Sequence, residues 1–168
     1  MGQLRDAIKD WVQALPLPEP LAVILLAMVP IIELRGAIPF AREILGMSPL
    51  AAFSWSVIGN AIPVPIILWL LPPFTDWAER HWKALHRFLD RLHGHTERRH
   101  SARFERLRDL ALITFVAIPL PVTGAWSGSL AAVVFGVDKR RAMPLIFLGI
   151  IIAGLIVTLL VEAFGWAV

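Results

Sequence analysis

Apolar residues follow two rhythms along this chain: stretches at helical spacing with charges on the other faces, and longer runs almost free of charge. Leu4, Ile8, Trp11, Val12 and Leu15 recur at three- and four-residue steps among Arg5, Asp6, Lys9 and Asp10. That pattern predicts an amphipathic helix over residues 3–15, lying in the headgroup region with Trp11 as its anchor. Pro16, Pro18 and Pro20 end it. Leu21 to Ile32 is apolar, but its twelve residues reach only about 18 Å, short of the ~30 Å hydrocarbon core. After a break at Glu33 to Gly36, Ala37 to Leu45 gives a second short arm, and Arg42 and Glu43 fit an end returned to the interface. Residues 21–46 therefore read as a re-entrant helical hairpin, with a kinked continuous span as the competing reading.

Ser48 to Leu71 has no charge and is long enough to cross a membrane, with Ser48 as its cap, Pro49 at the first helical position and Pro72-Pro73 as its stop. Asn60, Pro63 and Pro65 interrupt it near the middle. Asp76 to His93 is amphipathic again, with Ala78, Trp82, Leu85, Leu89 and Leu92 on one stripe and Gly94 at the C-cap position, and Thr96 to Arg108 reads as a second, basic helix. Leu110 to Val137 carries Pro119, Pro121, Gly124 and Gly128 in its centre, which predicts a second re-entrant hairpin. Asp138 to Arg141 then returns to the basic side, and Ala142 to Trp166 is the second span, with Glu162 near its far end.

Composition and charge agree with an all-α integral membrane protein. Of 168 residues 57% are hydrophobic and the mean hydropathy is +0.68, above the ~45–50% apolar content of soluble domains. Nine of the sixteen Lys and Arg lie between Arg80 and Arg108, which by local basicity makes residues 75–108 cytoplasmic and points to anionic lipid before nucleic acid. Cysteine is absent, so disulfides, thiolate nucleophiles and Cys-based metal sites are excluded. The first fifteen residues mix both charge signs, against a cleavable signal peptide. All five histidines fall in the linker with mixed spacing, and headgroup-facing or solvated side chains explain them better than a metal site, so neither metal nor cofactor is expected.

Comparing the two halves at an offset of ninety residues places Ala41 on Ala131, Gly46 on Gly136, Ala52 on Ala142 and Gly59 on Gly149. The chain thus reads as one membrane domain with two repeats, 21–71 and 110–166, joined by the linker 76–108. Each repeat is a hairpin that returns to its own side followed by a span that crosses, so the second copy must be inverted. The expected topology puts both termini outside an inner membrane.

Candidate chemistry centres on the break in the first repeat. Glu33 and Arg35 sit in apolar sequence between Pro30 and Pro39, and ionisable residues at membrane depth default to function. Glu33 is the candidate carrier of a coupling proton and Arg35 the candidate bidentate holder of an anionic headgroup. The plainer alternative is a structural ion pair locking the tip. Since i and i+2 do not face each other on a helix, a direct pair requires the break to be non-helical. At the second break Pro119 and Pro121 flank Thr123 and Trp126, a hydroxyl and an indole donor that serve either substrate or packing. Asn60 fits a helix-to-helix hydrogen bond or a ligand.

Pro30-x-x-Glu33-x-Arg35-Gly-Ala-Ile-Pro39 and Pro119-Leu-Pro121-x-Thr123-Gly-Ala-Trp126-x-Gly128 resemble the two signature stretches of the small multidrug export protein family, over nearly the whole chain. More distantly the layout resembles the DedA and VTT membrane protein superfamily, a resemblance that implies lipid-carrier flippases and scramblases. In the second hairpin Thr123-Gly124 stands in place of that superfamily's arginine motif. The expected function is a small transporter or flippase moving an amphiphile, an anionic lipid carrier or a lipophilic drug, with membrane lipid around it. The alternative is a non-transporting, lipid-organising membrane protein. No HExxH or GxSxG occurs, which leaves an enzyme with little support. Buried polarity in so small a body predicts a homodimer or higher assembly.

Overall fold

Proline and glycine placement divides the described chain into helices. A computed structural model describes residues 17–81, 102–120 and 123–165. The elements are α1 (Glu19–Met28), α2 (Glu33–Pro39) running into a π-helical turn (Phe40–Ile44), α3 (Pro49–Ala61), α4 (Pro63–His81), α5 (Ala102–Ala117), α6 (Ala125–Val134) and α7 (Lys139–Phe164). No strand occurs among the described residues. The amphipathic helix expected over 3–15, the linker histidines beyond His81, the Gly94 cap, Pro121 and Trp166 lie outside them.

Among the described residues two stretches are long and apolar enough to cross a membrane, Pro49–Phe74 and Lys139–Phe164. Their outer faces are what a lipid solvent requires: Leu70 is 65% exposed and Leu159 67% exposed, an arrangement that water would penalise. Ser48 starts the first span, its hydroxyl accepting from Ala51 N–H at 3.3 Å, with Pro49 in the first helical position where its missing donor is harmless. At the start of α7 the Asp138 carboxylate accepts from Arg140 N–H at 2.9 Å.

The expected stop at Pro72-Pro73 is corrected by α4, which contains both prolines and runs on to His81. A proline deletes its own N–H and crowds the carbonyl four residues back, while later amides still find their partners, so the apolar stretch ends there although the helix does not. Pro39 likewise sits inside α2, and the chain absorbs it by widening: Leu45 N–H bonds back five residues to Phe40 O at 3.2 Å, the π pattern. The expected boundary near residue 109 is also absent, since α5 passes through it unbroken.

The chain gathers into two compact units. One comprises residues up to 62 together with those from 150 onward, the other residues 63–149. In the first unit α1, α2 and α3 pack mutually around Val23, Ala27, Ala37, Ala41, Leu45 and Ala52, flanked by Leu26, Phe40, Met47 and Trp55. Four of those six core residues are alanines, and small side chains let helices approach closely where lipid removes the usual hydrophobic drive. Gly59 is closer still: a Cβ there would stand 2.8 Å from Ala27 Cβ and overlap the Ile24 carbonyl. Within this unit Arg42 Nε donates to Glu162 Oε1 on α7, and Arg42 also reaches the Met47 carbonyl.

In the second unit α6 packs on α4 and on α5. A Cβ on Gly149 would fall 2.6 Å from Val116 Cβ and 3.1 Å from Ile113 O, the counterpart of Gly59 against Ala27 and Ile24. Arg141 ties the start of α7 to α5, donating to Asp109 Oδ2 at 2.7 Å and Glu105 Oε2 at 2.7 Å. Lys139 Nζ lies 5.6 Å from the Trp69 ring centroid, within cation–π range. Along the two spans seven buried positions coincide at the ninety-residue offset, 52, 56, 59, 60, 63, 64 and 67 on one with 142, 146, 149, 150, 153, 154 and 157 on the other, while buried Leu68 meets half-buried Thr158 and buried Val161 meets half-buried Leu71.

Candidate functional site

Pro30 denies α1 its next amide donor, and the chain turns. Ile32 N–H and Glu33 N–H both bond to Val29 O, at 3.1 and 2.9 Å. Glu33 then adopts φ +49°, the left-handed region, and among the described residues no other non-glycine does so. A carboxylate side chain in that region is strained, and such strain persists where its surroundings over-determine it. The twist brings two residues to one side that a regular helix would separate: Arg35 Nη2 lies 3.1 Å from Glu33 Oε2. The expected break at Glu33 to Gly36 is corrected: the chain breaks at Val29–Ile32 and is helical from Glu33 on, and the pair forms because the positive φ of Glu33 at the first position of α2 turns its side chain toward Arg35.

Burial makes the pair costly. The Glu33 side chain is 5% exposed and that of Arg35 20%, so each charge depends on its partner and neighbours for the solvation it has lost. As the first residue of α2, Glu33 also presents its carboxylate to that helix's amino end, the favourable pole for an anion. Pro39, Leu34, Ala37 and Ile38 are buried beside it on α2. Pro30 is exposed, so it shapes the turn without lining an interior. Gly36 is held to glycine by Ile32, whose Cγ2 occupies the place of a Cβ.

The second break is built from neutral groups. Ile118 follows α5 as a bend, and Gly124, at φ +145°, opens α6. Thr123 closes the loop: its oxygen accepts from Leu120 N–H at 3.2 Å, and its single proton is shared between the carbonyls of Ile118 at 2.7 Å and Leu120 at 2.8 Å. That hydroxyl is engaged in holding backbone. Trp126 is half-buried on the first turn of α6, and Pro119 is half-buried in the loop.

Glu33 and Arg35 are brought together in the first unit, while Thr123 and Trp126 stand in the second. Asn60 belongs to the first unit, 1% exposed on α3, with Ser56 at 0% one turn before it. Sequence reasoning passed over Ser56, which by residue type is one more serine in an apolar span. It also passed over the Arg42–Glu162 pair, 120 residues apart, for which no local signal exists.

The family model described as "Putative small multi-drug export protein" matches residues 33–156. No curated protein and no solved structure matches the chain.

Proposed function

This chain belongs to the small multi-drug export protein family, and from that premise we propose that it exports an amphiphile through a site built on Glu33 and Arg35. The observation that carries the reading is the buried, strained ion pair in a proline-broken segment of a membrane protein. A pair held at this cost has a reason beyond packing, since well-packed apolar residues stabilise such positions as well or better.

Arg35 is the group that holds an anionic headgroup bidentately: a proton taken up by Glu33 frees the guanidinium for the headgroup, and loss of that proton returns the carboxylate and displaces it, so that carboxylate and substrate alternate at one guanidinium. Asn60 lines the path within the first unit. Pro30 and Pro39 shape the first tip. The fold that serves this is a pair of inverted repeats, each a re-entrant hairpin and a span. The coincident buried positions and the matched Gly59 and Gly149 approaches support it. Each of the two arginine pairs joins elements that this topology puts on one membrane face, and the basicity of residues 75–108 makes their own face the inside, with both termini outside. A homodimer shields the hairpins from lipid.

The test is reconstitution into vesicles with a fluorescent amphiphile, anionic in one set and cationic in another, under an imposed pH gradient. Export is expected for the anionic probe, with loss in Glu33→Gln and in Arg35→Lys at unchanged yield of folded protein. A fully active Lys variant removes the bidentate role. Folded protein that moves neither probe leaves the ion pair as a structural lock in a lipid-organising protein.

A further inference from the structure

The start of α7, in the second unit, carries more positive charge than the fold uses. Arg141 is engaged by Asp109 and Glu105, and the Asp138 carboxylate caps the helix by accepting from Arg140 N–H at 2.9 Å. Lys139 and Arg140 are exposed, and neither has a carboxylate partner among the described residues. Opening a span does not call for them. Ninety residues earlier the same positions are Pro49 and Leu50, and that span starts from a neutral serine cap.

Trp69 on α4 marks the depth of these cations. Its ring centroid lies 5.6 Å from Lys139 Nζ, and the side chain is 42% exposed. An indole, apolar over its faces and polar at one edge, settles where headgroups meet acyl chains. From Trp69 α4 runs on towards the basic linker, ending at His81. One turn the other way, into the span, α4 exposes Ile66. On α7 the exposed positions Pro144 and Leu148 follow Arg140 at four-residue steps, hence on its face. Two cations beside an indole therefore stand over apolar side chains that have no cover.

That order of chemistry fits one kind of molecule. Lysine offers a point charge and arginine a fork of parallel donors for phosphate oxygens, and the apolar side chains beneath suit an acyl chain. A soluble anion or a nucleic acid would use the charge and leave the apolar part unmet. We propose that Lys139, Arg140 and Trp69 form a site for the headgroup of an anionic phospholipid on the second unit. The proposal goes beyond the export reading and does not rest on it, because a retained lipid is detected with nothing being moved.

Native mass spectrometry of the purified full-length protein tests it, in detergent with equal amounts of phosphatidylglycerol and phosphatidylcholine. The wild-type protein should retain phosphatidylglycerol in preference. Lys139→Gln and Arg140→Gln should each lower the ratio of retained phosphatidylglycerol to phosphatidylcholine about fivefold, the attraction of one cation near an anionic lipid, and together bring it near parity. Trp69→Leu should lower it less, and Lys139→Arg should keep it. Arg98→Gln combined with Arg99→Gln removes the same charge from the linker and should leave the ratio unchanged. If the double Lys139→Gln, Arg140→Gln variant does not insert, the single variants and Lys139→Arg carry the comparison. Equal retention of the two lipids by the wild-type protein overturns the site. A ratio that falls as far with the linker substitutions as with those at 139 and 140 makes the preference a property of overall charge and overturns it too.

Discussion

The two broken segments share their punctuation and differ in what they bury. Around the first, Pro30, Gly36 and Pro39 produce a turn with a carboxylate at φ +49° and a guanidinium drawn beside it. Around the second, Pro119, Gly124 and Gly128 produce a turn closed by a neutral threonine on its own carbonyls. A membrane segment can therefore be broken and re-closed here without charge, and the Glu33–Arg35 pair is an addition to the fold. The spans repeat the lesson: Ser56 and Asn60 on one face, Ile146 and Ile150 on the matching face of the other. Of the buried polar side chains among the described residues, Glu33, Ser56 and Asn60 lie in the first unit and Ser129 in the second.

The largest effect should come from splitting the pair. Arg35→Ala leaves a buried carboxylate uncompensated and should lower stability by about 3–5 kcal/mol, while a double Glu33→Gln, Arg35→Met variant should recover most of that. Denaturant unfolding in detergent measures both. Equal losses in the single and double variants would mean that the charges do not depend on one another.

Next in size are the close approaches. Gly59→Ala and Gly149→Ala each place a Cβ inside 3 Å of a neighbour, 2.8 Å from Ala27 Cβ and 2.6 Å from Val116 Cβ, and should cost about 1–3 kcal/mol each through overpacking. Similar losses at both sharpen the two-repeat reading; a loss at only one breaks it.

The second break should be more forgiving. Thr123→Val removes the hydroxyl staple and should cost on the order of 1 kcal/mol, with Thr123→Ser close to wild type and export less affected than stability. An export defect in Thr123→Val out of proportion to its melting would instead make that hydroxyl part of the path. Smallest of all, Arg42→Ala and Glu162→Ala remove a partly exposed pair and should each shift the unfolding midpoint less than Thr123→Val does, read from the same unfolding curves.

Much of this was legible from residue types. Proline at 30, with Glu33 and Arg35 two apart, demanded a non-helical break if the charges were to meet; the break falls at Val29–Ile32 instead of Glu33 to Gly36, and the charges meet through the positive φ of Glu33. Ser48-Pro49 marked the start of the first span, and Gly46 and Gly136, at φ +69° and +63°, sit at matched turns before α3 and α7. Other prolines misled: Pro39, Pro72 and Pro73 lie inside helices, because whether a proline stops a helix depends on what takes the freed carbonyl, and that is a tertiary matter. Ser56 was invisible for a related reason, since a serine in an apolar span ordinarily returns its hydroxyl to the carbonyl one turn back. The Thr158 hydroxyl does so, to Gly154 O at 2.8 Å; only coordinates reveal that Ser56 does not. The membrane setting was legible in the two long apolar runs, while the export reading rests on the family match.

Because the chain has no cysteine, a single label can be placed on the first tip without background. Ile31, 93% exposed in the turn between α1 and α2, takes a spin label as Ile31→Cys, and its collision rates with oxygen and with a water-soluble nickel complex report depth in a reconstituted bilayer. High oxygen and low nickel accessibility, as at mid-membrane, is the predicted result. Free access of nickel would put the tip, and the ion pair two residues beyond it, at the aqueous surface and contradict the account.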